Sequence, residues 1–168
     1  MNDHKSATPQ IICKSISLNA SLNAVWEALT QPELMKSWMY DSEIEIVTTW
    51  KVGSPIIINA QEVSYKIAVK NTGVVLQFLK NHVLEYSHLS SLSRLPDQPG
   101  NYTLIRFTLL QEEDQTLLEL NLSNFPTESH YKHLDFYWTI TLQVLKRFVE
   151  DRKLINHPVT SEKLLPER

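Results

Sequence analysis

The sequence has few of the residues on which several common functions depend. Its 168 residues include one cysteine, Cys13, so a disulfide framework within the chain is excluded. The lack of disulfides is typical of a reducing compartment, and we expect a cytoplasmic protein. The three glycines, Gly53, Gly73 and Gly100, form neither a GxGxxG motif nor a Walker loop. No cysteine pair is spaced for zinc either, so we expect no cofactor and no metal.

Charge and hydropathy exclude two further classes of partner. The formal net charge is −3, and no basic run or alternation of arginine with aromatics occurs, so we expect no nucleic-acid partner. No apolar stretch approaches the roughly 20 residues of a membrane-spanning helix. The polar segment 1–6 lacks the apolar core of a signal peptide. We expect one domain over residues 10–153, a loose leader at 1–9 and a tail at 154–168.

The first forty residues indicate one strand followed by two short helices. Apolar residues alternate along 10–20, with Lys14 as the exception on the apolar face. Ser21 is a candidate N-cap, after which apolar residues recur with helical spacing. The segment 30–33, Thr-Gln-Pro-Glu, has the spacing of a capping box with proline at the first helical position. This predicts a second short helix.

After Asp41 the apolar period changes to two, which predicts six more strands. They cover about 44–50, a stretch that begins at 56, then 63–80, 83–89, 102–111 and 116–124. Gly73 interrupts the long run 63–80, and a glycine inside such a pattern often marks a β-bulge. Strands joined by short turns pair antiparallel, and such a sheet needs one face covered.

A helical period returns after Pro126 and extends over about 129–152. Its apolar face comprises Leu134, Trp138, Thr141, Leu145, Phe148 and Val149. A helix of this length can cross a whole sheet. The predicted fold class is therefore α+β, a curved antiparallel sheet of about seven strands around a long C-terminal helix. Phe136 and Ile140 lie on the outer face of that helix and are candidates for a homodimer or partner contact.

Polar residues in phase with apolar ones indicate a candidate binding pocket. Tyr86 and His88 share the face of Leu84, and Tyr65 lies on the apolar face of the preceding strand. Such polar tips could orient a ligand, or they could pair with each other inside an ordinary core. The same choice holds for Trp38 in the second helix. The candidate ligand-binding residues are Trp38, Tyr65, Tyr86, His88, Phe107 and Trp138.

Two other features have weaker chemical meaning. His130 and His133 are three residues apart near the start of the long helix, with Glu128 before them. The pair could bind a metal, but no third ligand is evident, and two solvated histidines are the expected outcome. Cys13 falls opposite the apolar face of its strand, which favours an inert thiol over a nucleophile. We expect no catalytic residues here.

Several segments, in chain order, resemble a known family. They are Asn23-Ala24-Val25-Trp26-Glu27-Ala28-Leu29-Thr30, Pro32-Glu33-Leu34, Trp38, Lys51-Val52-Gly53, Gly73-Val74-Val75, Val83-Leu84-Glu85-Tyr86, and Tyr137-Trp138 with Leu142 and Leu145. Over residues 10–152 the chain resembles the START-like superfamily of ligand-binding domains, most closely the homologues of the activator of heat-shock protein ninety ATPase.

The resemblance implies a helix-grip fold, with two short helices closing one end of the sheet. It implies a cavity between sheet and helix that binds a small apolar molecule such as a lipid, a sterol or a polyketide-like compound. Two alternatives stay open: an interaction module that regulates a chaperone in a stress response, and a cyclase- or dehydratase-like enzyme with Tyr86 and His88 as acid–base groups. No family catalytic motif can be placed on this chain.

Overall fold

The computed structural model describes residues 10–40, 43–62 and 67–156. The strands are β1 (Ile11–Leu18), β2 (Glu43–Thr48), β3 (Pro55–Glu62), β4 (Ile67–Leu79), β5 (Val83–Ser90), β6 (Thr103–Glu112) and β7 (Gln115–Ser123). The helices are α1 (Leu22–Thr30), α2 (Pro32–Met35) and α3 (Glu128–Asn156). They confirm the predicted α+β fold class, a curved antiparallel sheet around a long C-terminal helix.

The seven strands form one antiparallel sheet in the order β1-β7-β6-β5-β4-β3-β2. The first strand therefore pairs with the last, and α1 and α2 connect opposite edges of the sheet. Alternate residues of the central strands face α3, as their period of two requires. The core residues with almost no exposed surface include Leu84, Ile105, Phe107, Leu109, Leu118, Leu120, Leu122 and Leu145. The core thus lies between the concave sheet and the helix.

The junction between α1 and α2 differs from the predicted capping box. Gln31, not Thr30, is the N-cap of α2, and its side chain makes no capping bond. Thr30 lies inside α1 and donates its hydroxyl to the carbonyl of Trp26. The proline at position 32 is where the pattern placed it, at the start of α2. A buried threonine in a helix commonly donates its hydroxyl to the carbonyl four residues back, and Thr30 makes this bond instead of capping α2.

Pro32 also leaves one carbonyl of α1 without its usual donor. Helical carbonyls accept from the N–H four residues on, and proline has none, so the Ala28 oxygen lacks that partner. The indole N–H of Trp38 donates to this oxygen at 2.9 Å. The indole of Trp50 donates in the same way to the oxygen of Thr30 at 2.7 Å. Two tryptophans therefore satisfy the carbonyl end of α1.

The irregular point of β4 is three residues beyond the predicted bulge at Gly73. The register between β4 and β5 shifts between Val75 and Gln77. Gly73 has another role: a Cβ built there would lie 1.6 Å from the carbonyl oxygen of Ser87 on β5. The glycine therefore permits a close backbone approach between two strands.

Helix α3 runs beside β1, and this explains the lysine within the apolar face of that strand. The Lys14 ammonium lies 2.6 Å from the Asp135 carboxylate and donates to the Thr139 hydroxyl at 2.8 Å. Further along, the Lys146 ammonium donates to the Ser17 carbonyl at 2.7 Å. Polar side chains of the helix thus pair with β1, an edge strand of the sheet.

The ends of the chain lie partly outside the described residues. Helix α3 continues to Asn156, three residues into the segment predicted to be a tail. The leader at 1–9 and the rest of the tail, 157–168, are not described and stay predictions. In the ranges that are described, no helix has both the length and the apolar character that crossing a membrane would require.

Candidate functional site

A cavity of about 560 Å³ lies between the sheet and the first half of α3. Strands β3 to β6 form one wall, α3 forms another, and Met39 and Tyr40 from the segment after α2 complete it. Its apolar lining includes Ile58, Leu89, Ile105, Leu134 and Trp138. Exposed residues at its rim, Leu92 and His133 among them, indicate that it opens to solvent there.

Three of the six predicted site residues line this cavity. They are Tyr86 and His88 on β5 and Trp138 on α3. Trp38 and Phe107 lie behind the wall, with their rings 6.5 Å and 5.5 Å from that of Trp138 between centroids. These two residues support the Trp138 ring rather than line the cavity. Tyr65 lies outside the described residues, so its predicted place on the wall stays a prediction.

Three further lining residues form a chain of polar contacts that sequence reasoning did not select. The Asn71 amide nitrogen donates to the Tyr40 hydroxyl at 2.8 Å. The Tyr137 hydroxyl donates to the backbone carbonyl of Met39. The rings of Tyr40 and Tyr137 lie 5.7 Å apart between centroids. These contacts tie the segment after α2 to both β4 and α3 at the cavity wall.

A sequence signal existed for Asn71 alone. It is two residues beyond Val69 and therefore in the apolar phase of its strand, as Tyr86 and His88 are in theirs. The structure places it in the sheet interior, 4% exposed. Tyr40 had no such signal because it lies between the second predicted helix and the next predicted strand and follows neither period. Tyr137 is outside the apolar face predicted for α3, and the structure shows it partly buried.

Two polar side-chain atoms of the cavity-lining residues are closed off from water and have no hydrogen-bond partner within the described part of the chain. They are the amide oxygen of Asn71, an acceptor, and the indole N–H of Trp138, a donor. Both residues are almost fully buried, at 4% and 2% exposure. A buried polar group without a partner costs about 1–3 kcal/mol, so such groups call for an explanation.

The polar side chains of the cavity wall are hydroxyl, amide, indole and imidazole groups. The described residues that line it include no aspartate, glutamate, lysine or arginine. Burial, with smaller effects from the nearby His133 and His130, lowers the pKa of His88 to about 4. Burial raises the pKa of Tyr86, with a smaller effect from Tyr40. Both side chains are therefore neutral hydrogen-bonding groups near pH 7.

The histidines of α3 lie at the rim, as solvated or partly solvated groups. His133 is exposed, and the His130 ring nitrogen lies 2.6 Å from the Thr127 hydroxyl, before the helix. No three His, Cys, Asp or Glu side chains of the described ranges are grouped so that they could hold a metal ion. Cys13 is exposed on the outer side of β1.

Comparison with protein families gives one match that covers most of the chain. The family model described as "Activator of Hsp90 ATPase homolog 1-like protein" matches residues 19–150. No curated protein matches the chain.

Solved structures share the same fold over nearly the whole chain. A Cytophaga hutchinsonii protein is 35% identical, with a TM-score of 0.71 over 86% of this chain and 96% of that one. The solution structure of the Aha1 dimer from Colwellia psychrerythraea is 23% identical, with a TM-score of 0.65 over 84% and 96%. CalU16 from Micromonospora echinospora is 18% identical, with a TM-score of 0.63 over 92% and 85%.

Proposed function

The chain belongs to the family of Activator of Hsp90 ATPase homologue 1-like proteins, and we propose that it binds a small, mostly apolar molecule in the cavity between its sheet and α3. The ligand would be of the lipid, sterol or polyketide-like kind, and the site would lie in the cytoplasm. The observation that carries this proposal is the cavity itself, whose volume of about 560 Å³ falls in the range of small-molecule sites.

The wall has the composition of a binding site rather than of an incompletely filled core. Apolar side chains from four strands and α3 supply most of it. Neutral polar groups, including Tyr86, His88 and Asn71, are few and separate, which suits the orientation of a ligand with one or two polar atoms. Burial of such a ligand would contribute roughly 25 cal/mol per Å² of apolar area, before the costs of association.

Tyr86 and His88 serve as orienting groups in this proposal. No hydrogen-bond partner for either side chain is found in the ranges that the structure describes. The pKa of Tyr86 is raised and that of His88 is lowered, and both shifts favour the neutral form of the side chain. A neutral phenol and a neutral imidazole can each donate and accept a hydrogen bond without a counter-ion. Ligand atoms such as hydroxyl or carbonyl oxygens are their natural partners.

A fluorescent probe tests the proposal directly. N-phenyl-1-naphthylamine is neutral and apolar, and its emission rises when it leaves water. We expect saturable binding to the wild-type chain and at least tenfold weaker binding to Ala60→Phe, because Ala60 lies on the cavity wall. Thr141, although buried on the inner face of α3, does not line the cavity, so it is less suited to such a test.

The matched control is Ala68→Phe, at an exposed alanine of the neighbouring strand β4. It adds the same side chain outside the cavity and should leave probe affinity within twofold of wild type. Circular dichroism should show both variants folded. No saturable binding to wild type, or equal weakening by the two variants, would reject the proposed site.

A second proposal concerns a surface on the outer side of α3. Phe136, Ile140 and Val144 are 67%, 50% and 39% exposed and follow one another at four-residue intervals. Such spacing forms a continuous apolar stripe along one face of a helix. The similar Colwellia protein is described as a dimer. We propose that a second copy of this chain packs on the stripe.

Sedimentation velocity tests this contact. Wild type should show a concentration-dependent increase in sedimentation coefficient between micromolar and millimolar protein, and Phe136→Glu/Ile140→Glu should remain monomeric throughout. Gln10→Glu/Gln98→Glu is the control, because it adds the same charge at two exposed positions outside α3. A wild type that stays monomeric over the whole range, or an equal change in both variants, would rule out the stripe as a dimer contact.

A further inference from the structure

The polar groups of the cavity wall also restrict the kind of ligand. We infer that the site selects an uncharged molecule, with hydroxyl, carbonyl or ether oxygens, over an otherwise similar molecule with a carboxylate, sulfate or phosphate. This inference rests on the proposed binding function and concerns the same cavity.

The first argument is the lack of a counter-charge. No lysine or arginine occurs among the described residues of the lining. An ionised carboxylate transferred from water into an apolar site without a partner loses far more solvation than a hydroxyl does. Anion sites in proteins normally supply arginine, lysine or several backbone N–H groups. The described wall supplies hydroxyl, amide, indole and imidazole groups instead.

Three histidines line the cavity, His88 on β5 and His130 and His133 on α3. The low pKa of His88, caused mainly by its burial, keeps its imidazole neutral. His130 is engaged by the Thr127 hydroxyl, and His133 is exposed to water at the rim. Glu128 and Lys132 on the same helix lie 3.0 Å apart and pair with each other. A carboxylate inside the cavity would therefore meet a neutral imidazole at His88 and no lysine or arginine among the described residues of the wall.

The second argument is the pair of unpartnered atoms. Asn71 uses its amide nitrogen on the Tyr40 hydroxyl, which leaves its oxygen as an unused acceptor. Trp138 presents an unused donor. A hydroxyl group can both donate and accept, so it can satisfy either atom, whereas a carboxylate only accepts and would oppose the Asn71 oxygen. Both atoms are closed off from water in this conformation, so a contact with a ligand requires a side-chain rotation.

The experiment compares two ligands of equal chain length. Bound N-phenyl-1-naphthylamine is displaced from the wild-type chain at pH 8 by 1-dodecanol or by dodecanoate, both kept below the concentrations at which they aggregate. We expect dodecanol to displace the probe at no more than one tenth of the dodecanoate concentration. Equal displacement, or tighter binding of dodecanoate, would overturn the inference.

A variant pair at the rim tests the physical reason. Leu92 is exposed and lines the mouth of the cavity, so Leu92→Lys introduces a cation there and Leu92→Gln introduces a polar side chain without charge. Leu92→Lys should bind dodecanoate at least fivefold more tightly than Leu92→Gln does, with dodecanol unchanged. An equal dodecanoate affinity in the two variants would count against selection by charge.

The outcomes separate the inference from the function on which it rests. If the probe binds and Ala60→Phe weakens it, but dodecanoate competes as well as dodecanol, the cavity binds ligands and only the selectivity is wrong. If the probe does not bind wild type at all, the binding function itself fails.

Discussion

Trp38 and Trp138 lie with their ring centroids 6.5 Å apart, yet only one of the two indole N–H groups has a partner. Trp38 donates to the carbonyl of Ala28, whereas the Trp138 nitrogen has no acceptor in the described chain. Both rings are almost fully buried, at 3% and 2% exposure. The first tryptophan completes a helix end, and the second places a polar group on the wall of the candidate site.

This contrast predicts different costs for the same substitution. Trp38→Phe and Trp138→Phe remove the same ring volume, but only Trp38→Phe leaves a buried helix carbonyl without a donor. We expect Trp38→Phe to lower the free energy of unfolding by about 1–3 kcal/mol more than Trp138→Phe does. Urea denaturation of both variants measures the difference, and a larger loss for Trp138→Phe would mean that its N–H is satisfied.

Gly73 and Gly100 provide a second matched pair. An alanine Cβ at position 73 would lie 1.6 Å from the Ser87 carbonyl oxygen, while nothing lies within 4 Å of one at position 100. Gly73→Ala must push two paired strands apart, and we expect a loss of about 3 kcal/mol or more in stability, at the upper end of overpacking costs. Gly100→Ala should change stability by less than about 1 kcal/mol. Thermal melts in which Gly73→Ala and Gly100→Ala lower stability equally would contradict the close approach between Gly73 and the Ser87 carbonyl.

The pKa of His88 predicts how stability depends on pH. In the folded chain it is lowered to about 4, mainly by burial, from an ordinary value of 6.5. The unfolded chain therefore binds the proton more readily between these values, so stability is full above about pH 6.5 and decreases as the pH falls toward 4. The total loss would be at most about 3 kcal/mol, because the ring remains partly accessible.

His88→Gln isolates this contribution, because glutamine keeps polar atoms but does not titrate. Chemical denaturation at intervals from pH 7.5 to pH 4 should give a shallower pH dependence for the variant than for wild type. Parallel curves for the two proteins would show that His88 is protonated as easily in the folded chain as in the unfolded one.

The ion pair between Lys14 and Asp135 predicts a modest coupling. The Lys14 side chain is 19% exposed and that of Asp135 is 48% exposed. A double-mutant cycle with Lys14→Met and Asp135→Asn should give about 0.5–1 kcal/mol, reduced in 1 M salt. The pair Glu128–Lys132, with both side chains more than two-thirds exposed, is the control and should give less. A larger coupling energy for the control pair would contradict the prediction that the less exposed pair, Lys14–Asp135, is the stronger one.

The fold was largely predictable because its signal is local. The period of two along β5 put Leu84, Tyr86 and His88 on one face, and the helical period after Pro126 put Leu134, Trp138 and Leu145 inward. The same helical period placed Phe136 and Ile140 on the outer face of α3, and both are exposed there. Buried positions recur with the period of each helix or strand, so the sequence of one element predicts which of its residues are buried, without knowledge of the elements that pack against it.

The candidate site was predictable only in part. Tyr86, His88 and Trp138 line the cavity, but Phe107, in the same apolar phase, lies behind Trp138 instead. Periodicity identifies the inward face of an element but not which inward side chains touch one another. The capping box at Thr30 failed for a related reason, since the Trp26 carbonyl offered its hydroxyl a buried partner.

By itself the sequence determined the antiparallel strands, the long covering helix, and the neutral polar residues in phase with the core. The sequence also showed that Pro32 leaves the Ala28 carbonyl without its usual donor. It did not show that the Trp38 indole N–H donates to that carbonyl. Only the tertiary structure decided which polar groups found partners. Asn71 meets Tyr40 across 31 residues, while its other amide atom and the Trp138 N–H meet none. Such pairings depend on the curvature of the sheet and the position of the helix across it, and no local pattern encodes either.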